Sequence, residues 1–262
     1  MRIIHIINPV KTSTDSDLYI AQPITFESLK IAKENYRNDV IQCSAQFSED
    51  LSIIPDHIKI TRNLKRSVAD LGNDSLNRKL PLIKDILRRA YRISKKGDYC
   101  IYTNVDIALQ PEFYNWVHHK INEGLDAFII NRRTISSHYK DPSELPLMYE
   151  ESGSQHPGYD CFVFRRELIK KMILENVCIG AAYIGLALFL NIKLLSKNFI
   201  EFTDEYLTFH IGDDQVWKKP ENNPFAIHNK NEFDKIKRKF KKRFKNVDEL
   251  IESAFPTLKS SQ

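Results

Sequence analysis

The sequence has 262 residues, of which 42% are hydrophobic and 28% are charged, and these proportions are typical of a soluble globular protein of one domain, or one domain plus a tail. They exclude a collagen-like chain, a long disordered chain and a disulfide-rich miniprotein. The formal net charge of +5 is compatible with nucleic acid, an anionic membrane surface or an anionic substrate, so its distribution along the chain decides what it means.

Short apolar runs alternate with helical patterns along most of the chain. Strands are predicted at 3–7, 39–44, 58–61, 99–103, 127–131 and 161–164, and helices at 25–36, 81–94, 111–123 and 166–175. We expect Thr25 to cap the first helix, 136–156 to form a long loop and the uncharged segment 177–192 to be buried. The alternation predicts an α/β fold with a mostly parallel, Rossmann-like central sheet flanked by helices, in which ligands bind beyond the carboxyl ends of the strands.

The compartment is predicted from the N-terminus and the cysteines. Residues 1–9 carry one charge and a short apolar run, without the longer apolar core of a signal peptide, and are expected to form a buried strand. The four cysteines are dispersed and have no zinc-binding spacing, which is typical of reduced, buried thiols. We therefore expect a cytoplasmic protein.

The basic charge is concentrated near the C-terminus. The segment 230–245 has a net charge of +7, so the other 246 residues carry −2. Its apolar residues recur every three or four positions, which predicts a basic amphipathic helix. We expect a catalytic domain at 1–229 and this helix with a tail at 230–262. The helix either binds anionic lipid headgroups, making the protein peripheral on the membrane, or packs on the body with a solvated basic face. Nucleic acid is not an expected partner, because the body is nearly neutral.

The first polar cluster follows the predicted strand 99–103. Asn104 and Asp106 are two positions apart, so their side chains point the same way in an extended chain. Amide and carboxylate oxygens suit Mg²⁺ or Mn²⁺, whose remaining positions are taken by phosphate and water. The spacing predicts a shared divalent cation that bridges a diphosphate. The alternative is that both residues form a turn or cap the following helix.

Residues 98–133 resemble the GT-A fold of nucleotide-sugar glycosyltransferases. The resemblance rests on the segment DYCIYTNVDIALQPEFYNWV, followed by DAFIINRR, in which a strand ends in an Asp-x-Asp-like motif before a Pro-started helix and another strand. It implies that Asp106 is the main ligand of a divalent cation, Mn²⁺ or Mg²⁺, and that Asn104 replaces the first Asp of the motif. It also implies nucleotide binding by Asn8 and Pro9, at the end of the first strand.

Basic side chains complete the predicted donor side of the site. Arg62 lies before the helix predicted at 81–94, and guanidinium groups bind phosphate oxygens through paired hydrogen bonds. Arg132 and Arg133 end the strand predicted at 127–131, near the expected position of the donor sugar. The alternative for each is an ordinary surface residue.

The second cluster is the segment His156-Pro157-Gly158-Tyr159-Asp160, which enters a strand. His156 and Tyr159 are predicted to line the acceptor side, with His156 or Asp160 as a general base near the acceptor hydroxyl. In inverting GT-A enzymes a carboxylate often has this position, and the resemblance assigns the role to Asp160. Glu150 and Glu151 are rival bases, and a turn-capping Asp is the alternative.

The third cluster extends from Thr208 to Trp217. The resemblance implies that His210 is a further cation ligand, and imidazole suits Mn²⁺ better than Mg²⁺. Asp213 is a further catalytic candidate, while Asp214 and Trp217 are expected to bind acceptor hydroxyls and a sugar face. The alternatives are a core histidine, an Asp213 that caps a helix and a packed Trp.

We therefore expect a glycosyltransferase that moves a sugar from a nucleotide-sugar donor to a hydroxyl of a glycan or lipid-linked acceptor, in glycan or cell-surface polysaccharide assembly. Inversion and retention both stay open. The alternatives are a nucleotidyltransferase, which usually has a Gly-rich basic loop after its first strand, and a non-catalytic binding protein of the same fold. Motifs of P-loop kinases, zinc proteases, serine hydrolases and classical dehydrogenases are absent from the sequence.

Overall fold

The computed structural model describes residues 1–213 and 223–254. The strands are β1 (Ile3–Ile7), β2 (Val40–Ser44), β3 (Lys59–Ile60), β4 (Tyr99–Thr103), β5 (Ala108–Leu109), β6 (Ala127–Ile135), β7 (Ser154–Arg165), β8 (Phe199–Phe202) and β9 (Thr208–Ile211). The helices are α1 (Asp17–Glu34), α2 (Ile83–Ile93), α3 (Phe113–Asn122), α4 (Leu145–Glu150), α5 (Arg166–Ile169), α6 (Ile184–Leu195), α7 (Asn223–Lys241) and α8 (Val247–Ala254). None of the helices in these two ranges has both the length and the apolar composition needed to cross a membrane.

One mixed sheet organises the protein. Its strand order is β3-β2-β1-β4-β7-β6-β9-β5, with β8 beside β6. Strand β7 is antiparallel to both β4 and β6, and β5 is antiparallel to β9, whereas the other pairs are parallel. The α/β architecture with flanking helices is confirmed. Because β7 runs in the opposite direction, its first half lies at the same sheet edge as the carboxyl ends of β4 and β6.

Both faces of the sheet are covered by apolar side chains. In β1, Ile4 and Ile6 belong to one hydrophobic cluster, whereas Ile3 and Ile7 belong to the other, as expected for residues that alternate between the faces of a strand. The four cysteines are free and buried, and burial raises the pKa of each thiol. The sheet is therefore a buried layer with helices on both sides.

Two local predictions are wrong, and the helix predicted at 166–175 already ends at Ile169. Helix α1 begins at Asp17, where Ser16 accepts a hydrogen bond from the Leu18 N–H, so the buried Thr25 is an interior residue rather than the cap. The helix accommodates Pro23 in its interior, and a pattern that treats proline as a boundary misplaces the helix start. The predicted loop 136–156 contains helix α4 and the beginning of β7.

A polar group is buried in β1. His5 is 1% exposed, and its Nδ1 and Nε2 lie 2.8 Å from the Tyr114 hydroxyl and 2.9 Å from Thr103 Oγ1. Burial lowers the pKa of His5 to about 3. The folded state therefore holds a neutral imidazole that the unfolded chain protonates below its ordinary pKa of about 6.5.

We expect His5 to make stability depend on pH. The neutral His5 contributes to the free energy of unfolding, and this contribution is complete above pH ~6.5. It is lost as the pH falls from 6.5 towards 3, by about 1.4 kcal/mol per pH unit. His5→Gln removes the titrating group, so its free energy of unfolding should fall less steeply between pH 6.5 and 4.5 than that of the wild type. Urea denaturation at several pH values measures both slopes, and equal slopes would contradict this role.

Helix α7 is packed on the body. Asn229 is 0% exposed; it accepts a hydrogen bond from the Cys178 N–H and donates to the carbonyl oxygens of Cys178 and Ala182. Phe233 and Phe240 belong to the same core cluster as Ile4. The division predicted at 229/230 falls inside this helix. The apolar stripe that suggested an amphipathic helix is thus buried against the protein itself.

Candidate active site

The predicted site residues meet at the edge of the sheet where β4 and β9 end and β7 begins. Asn104 and Asp106 follow β4, His210 lies in β9, and Asp160 lies in β7. Strand pairing places Thr103 opposite Cys161, so Asn104 and Asp160 come next to one another. Four predicted site residues are therefore brought together from three strands.

A β-bulge determines the placement of Asp160. Cys161 pairs with Ile130, but Tyr159 pairs with Asn131, so Asp160 is an extra residue of β7 without a partner in β6. Bulges of this kind turn a side chain out of the regular alternation and occur often beside active sites. The Asp160 side chain remains mostly buried, at 12% exposure, and lies at the sheet edge with Asn104.

Asp106 and His210 form an ion pair. Asp106 Oδ2 lies 3.3 Å from His210 Nε2, and His210 Nδ1 donates to the Gly212 carbonyl oxygen at 2.7 Å. Burial opposes the charge on Asp106, but the hydrogen bond with His210 and the positive charges of His210 and Arg132 together outweigh burial and hold the pKa of that carboxyl below its usual range. Burial also disfavours the imidazolium, yet Asp106 raises the pKa of His210 above its ordinary value. Each group therefore favours the charged form of the other.

The Asp106 and His210 side chains fit a divalent cation in two respects. Asp106 Oδ1 is buried and has no hydrogen-bond partner among the described residues. The bond from His210 Nδ1 to a carbonyl fixes the ring so that Nε2 faces the carboxylate, as in histidines that bind metals. Within 1–213 and 223–254, however, no three His, Cys, Asp or Glu side chains are grouped to hold a metal ion. A cation here would take most of its ligands from phosphate and water.

Asp160 is held by two donors. Asn104 Nδ2 donates to Asp160 Oδ1 at 3.0 Å, and Arg132 Nη1 donates to Asp160 Oδ2 at 3.0 Å. The Asn104 side chain is therefore turned towards Asp160, and its Oδ1 accepts a hydrogen bond from the Tyr102 hydroxyl at 3.0 Å. The carboxylate of Asp160 has a fixed orientation.

Arg132 connects Asp160 with the predicted acceptor side. Its Nη2 lies 3.6 Å from Asp213 Oδ1, and His156 Nε2 lies 4.0 Å from the same oxygen. The Gly158 N–H donates to His156 Nδ1 at 2.9 Å, and a Cβ at Gly158 would lie only 2.6 Å from the imidazole. Burial, aided by the positive charge of Arg132, lowers the pKa of His156. His156 is thus a neutral imidazole whose Nε2–H points towards Asp213.

Other predicted residues lie apart from this cluster or outside the described ranges. Tyr159 is 7% exposed and stacks on Phe189 in the core, with ring centroids 5.3 Å apart. Asn8, followed by the buried Pro9, ends β1 beside β4, where its Nδ2 donates to the Ala45 carbonyl oxygen. Arg62 is exposed and follows β3, three strands from β4. Asp214 and Trp217 lie outside the described residues.

Sequence reasoning missed the contacts of Arg132 and the contribution of Tyr102. Arg132 was expected near the donor sugar because it follows an apolar run, but its pairing with two acids depends on the antiparallel direction of β7. Tyr102 is fully buried, and its hydroxyl reaches Asn104. An aromatic residue inside an apolar strand gives no signal of such a contact.

Comparison with known proteins shows which known fold the chain shares. No protein-family model and no curated protein sequence matches the chain. Among solved structures, S. aureus TarS 1–349 in complex with UDP-GlcNAc has a TM-score of 0.53 and 10% identity, covering 88% of this chain and 66% of that one. The same protein in complex with UDP has a TM-score of 0.50 and 12% identity, covering 83% and 62%. The chain spans less than two thirds of these neighbours. It therefore has the fold of GT-A-type nucleotide-sugar transferases.

Proposed function

We propose that the protein is a glycosyltransferase that moves a sugar from a nucleotide-sugar donor to a hydroxyl of an acceptor. One observation carries the proposal: an oriented, largely buried carboxylate, Asp160, adjoins the Asp106–His210 pair at the ligand-binding edge of a GT-A-type sheet. The structures of the neighbour with UDP-GlcNAc and UDP make uridine nucleotides the first donors to test.

The proposed chemistry is a displacement at the anomeric carbon of the sugar. In the inverting case, Asp160 accepts the proton of the acceptor hydroxyl, the acceptor oxygen forms a bond to the anomeric carbon, and the bond from that carbon to the diphosphate oxygen breaks. Asn104 and Arg132 orient Asp160, while Asp213 and His156, which lie on the other side of Arg132, would contact the acceptor hydroxyls. Asp106 and His210 would hold a divalent cation, which would supply positive charge against the departing diphosphate.

A nucleotidyltransferase is disfavoured by the turn after β1. Such enzymes need free backbone N–H groups there for phosphate, and residues 8–16 contain no glycine. Here the Val10 N–H donates to Gln22 Oε1 at 2.9 Å and the Lys11 N–H to Asp50 Oδ1 at 2.8 Å. Both amides are already used by side chains of the protein.

The proposed acceptor is a glycan or a lipid-linked glycan, and we propose a cytoplasmic location at a membrane surface. The basic side chains at 241–243 and at 245 are exposed. The large apolar side chains of α7 are buried in the protein except that of Ile227, which is 61% exposed and isolated, so α7 presents no continuous apolar face. Attraction to anionic lipid would therefore be electrostatic, without insertion, and salt would abolish it. Sedimentation with vesicles rich in phosphatidylserine, at low and high salt, tests this part. Absence of binding at low salt would contradict it.

A ligand screen tests the proposed function. Thermal unfolding is followed with UDP-, GDP-, CMP- and dTDP-sugars, each with and without Mn²⁺. A donor present at 100 times its Kd should add about 2.7 kcal/mol of stability, which raises the Tm of a chain of this size by roughly 5–10 °C. We expect one class of nucleotide to give this shift. No shift with any donor would contradict the proposal and favour a binding protein for another ligand.

A further inference from the structure

The amide of Asn104 has only one orientation that its neighbours allow. A carboxylate accepts hydrogen bonds and donates none, so the side chain must present its amino group to Asp160, 3.0 Å away. The amide oxygen then faces the Tyr102 hydroxyl, also at 3.0 Å, which donates to it. The flipped amide would face the carboxylate with its oxygen and lose the bond to Asp160, although its amino group could still donate to the Tyr102 hydroxyl. The assignment therefore follows from the chemistry of the partners.

An aspartate at position 104 would not fit this arrangement. Its oxygen would lie about 3 Å from an oxygen of Asp160, and two carboxylates at that distance do not both ionise readily. Arg132 already holds the other oxygen of Asp160 and is shared with Asp213. The amide supplies a donor without a charge, which is the group that the neighbouring carboxylate requires.

We propose that Asn104 is a positioning residue that fixes the carboxylate of Asp160 for proton transfer, and that it is not a weakened cation ligand. The inference rests on the proposed function, in which Asp160 is the base. This role explains why Asn replaces the first Asp of the motif. The Asn104 amide donates a hydrogen bond to the carboxylate of the proposed base, which an aspartate could not do, so the replacement is compatible with an active enzyme. Tyr102 supports the same orientation from the buried side of Asn104.

The test is a double-mutant cycle on the rate of donor cleavage, using the nucleotide sugar found in the ligand screen. Asn104→Ala removes the donor without adding charge, and we expect kcat to fall by about 10²-fold, as for a misplaced catalytic group, while the donor KM changes little. In an Asp160→Asn background the same change should have no further effect, because the group that Asn104 positions is gone. Asn115→Ala, which removes an exposed amide on α3, is the matched control and should keep the wild-type kcat.

A second variant keeps the inference open to refutation if the first folds poorly. Asn104→Asp should lower kcat at least as much as Asn104→Ala. The double variant that combines Asn104→Asp with Asp160→Asn restores an amide–carboxylate pair, so the Tm should recover while kcat stays as low as in Asp160→Asn alone. Wild-type or higher kcat in Asn104→Asp would mean a cation ligand and would overturn the inference, as would equal losses from Asn104→Ala in both backgrounds. If instead Asp160→Asn keeps the wild-type kcat, the proposed base itself is wrong.

Discussion

Replacing Asp160 by Asn should lower kcat by about 10²- to 10⁴-fold, because the amide cannot accept the proton of the acceptor hydroxyl. The substitution keeps the shape of the side chain, and its oxygen can still accept from Asn104 or Arg132. The donor KM should therefore change little, as expected when a group acts only in the transition state. Initial rates of donor cleavage over a range of nucleotide-sugar concentrations, up to saturation, measure both constants.

The control for this substitution is Asp204→Asn. Asp204 also pairs with an arginine, Arg133, but its side chain is 65% exposed. The Asp204→Asn variant should keep the wild-type kcat, because an acid that is mostly exposed to solvent contributes little through its ion pair. A small effect of Asp160→Asn, comparable to that of the control, would leave Glu150, Glu151 or Asp213 as the base.

Deleting residues 230–262 should abolish cooperative folding. The deletion removes four side chains that are at most 4% exposed: Phe233, Ile236, Phe240 and Val247. Burial of each contributes about 1.5–3 kcal/mol, so the loss of roughly 6–12 kcal/mol is comparable with the whole stability of a typical protein. We expect an aggregated or molten product without a sharp unfolding transition in circular dichroism.

The matched control keeps the helix and removes charge only. Lys242 and Lys245 are exposed, and replacing both with Gln should change the free energy of unfolding by no more than about 0.5 kcal/mol per site. If the deleted chain unfolds cooperatively near the wild-type Tm, the segment is an appendage and its packing contributes nothing.

The sequence predicted the sheet edge but not all the contacts made there. Asp106 and His210 each follow or end an apolar run, and the resemblance joined them at one site, where the structure has them in contact. Asp160 is predicted as the base from the resemblance and from its position where a polar loop enters a strand. Its contact with Asn104 needs β7 to run antiparallel to β4 and a bulge at Asp160, and neither leaves a periodic signal.

Helix α7 shows a second limit of pattern reading. The recurrence of Phe233, Ile236 and Phe240 predicted a helix with an apolar stripe, and such a helix is present. The apolar periodicity of a helix does not identify the surface against which its apolar side chains pack, since a membrane and a protein core both bury apolar area. Asn229, which hydrogen-bonds to the Cys178 and Ala182 carbonyls, links the helix to the body, but a lone polar residue gives no such signal in sequence.

The central claim is that Asp106 and its neighbours cleave a nucleotide sugar, and the release of the nucleotide tests it most directly. Wild type and Asp106→Asn are incubated with UDP-, GDP-, CMP- and dTDP-sugars and Mn²⁺, and the released nucleotide is measured by chromatography. We predict cleavage of one class of donor by the wild type and a loss of about 10³-fold or more in Asp106→Asn, equivalent to several kcal/mol of charge stabilisation. No cleavage by the wild type, or equal rates in the two proteins, would contradict the account.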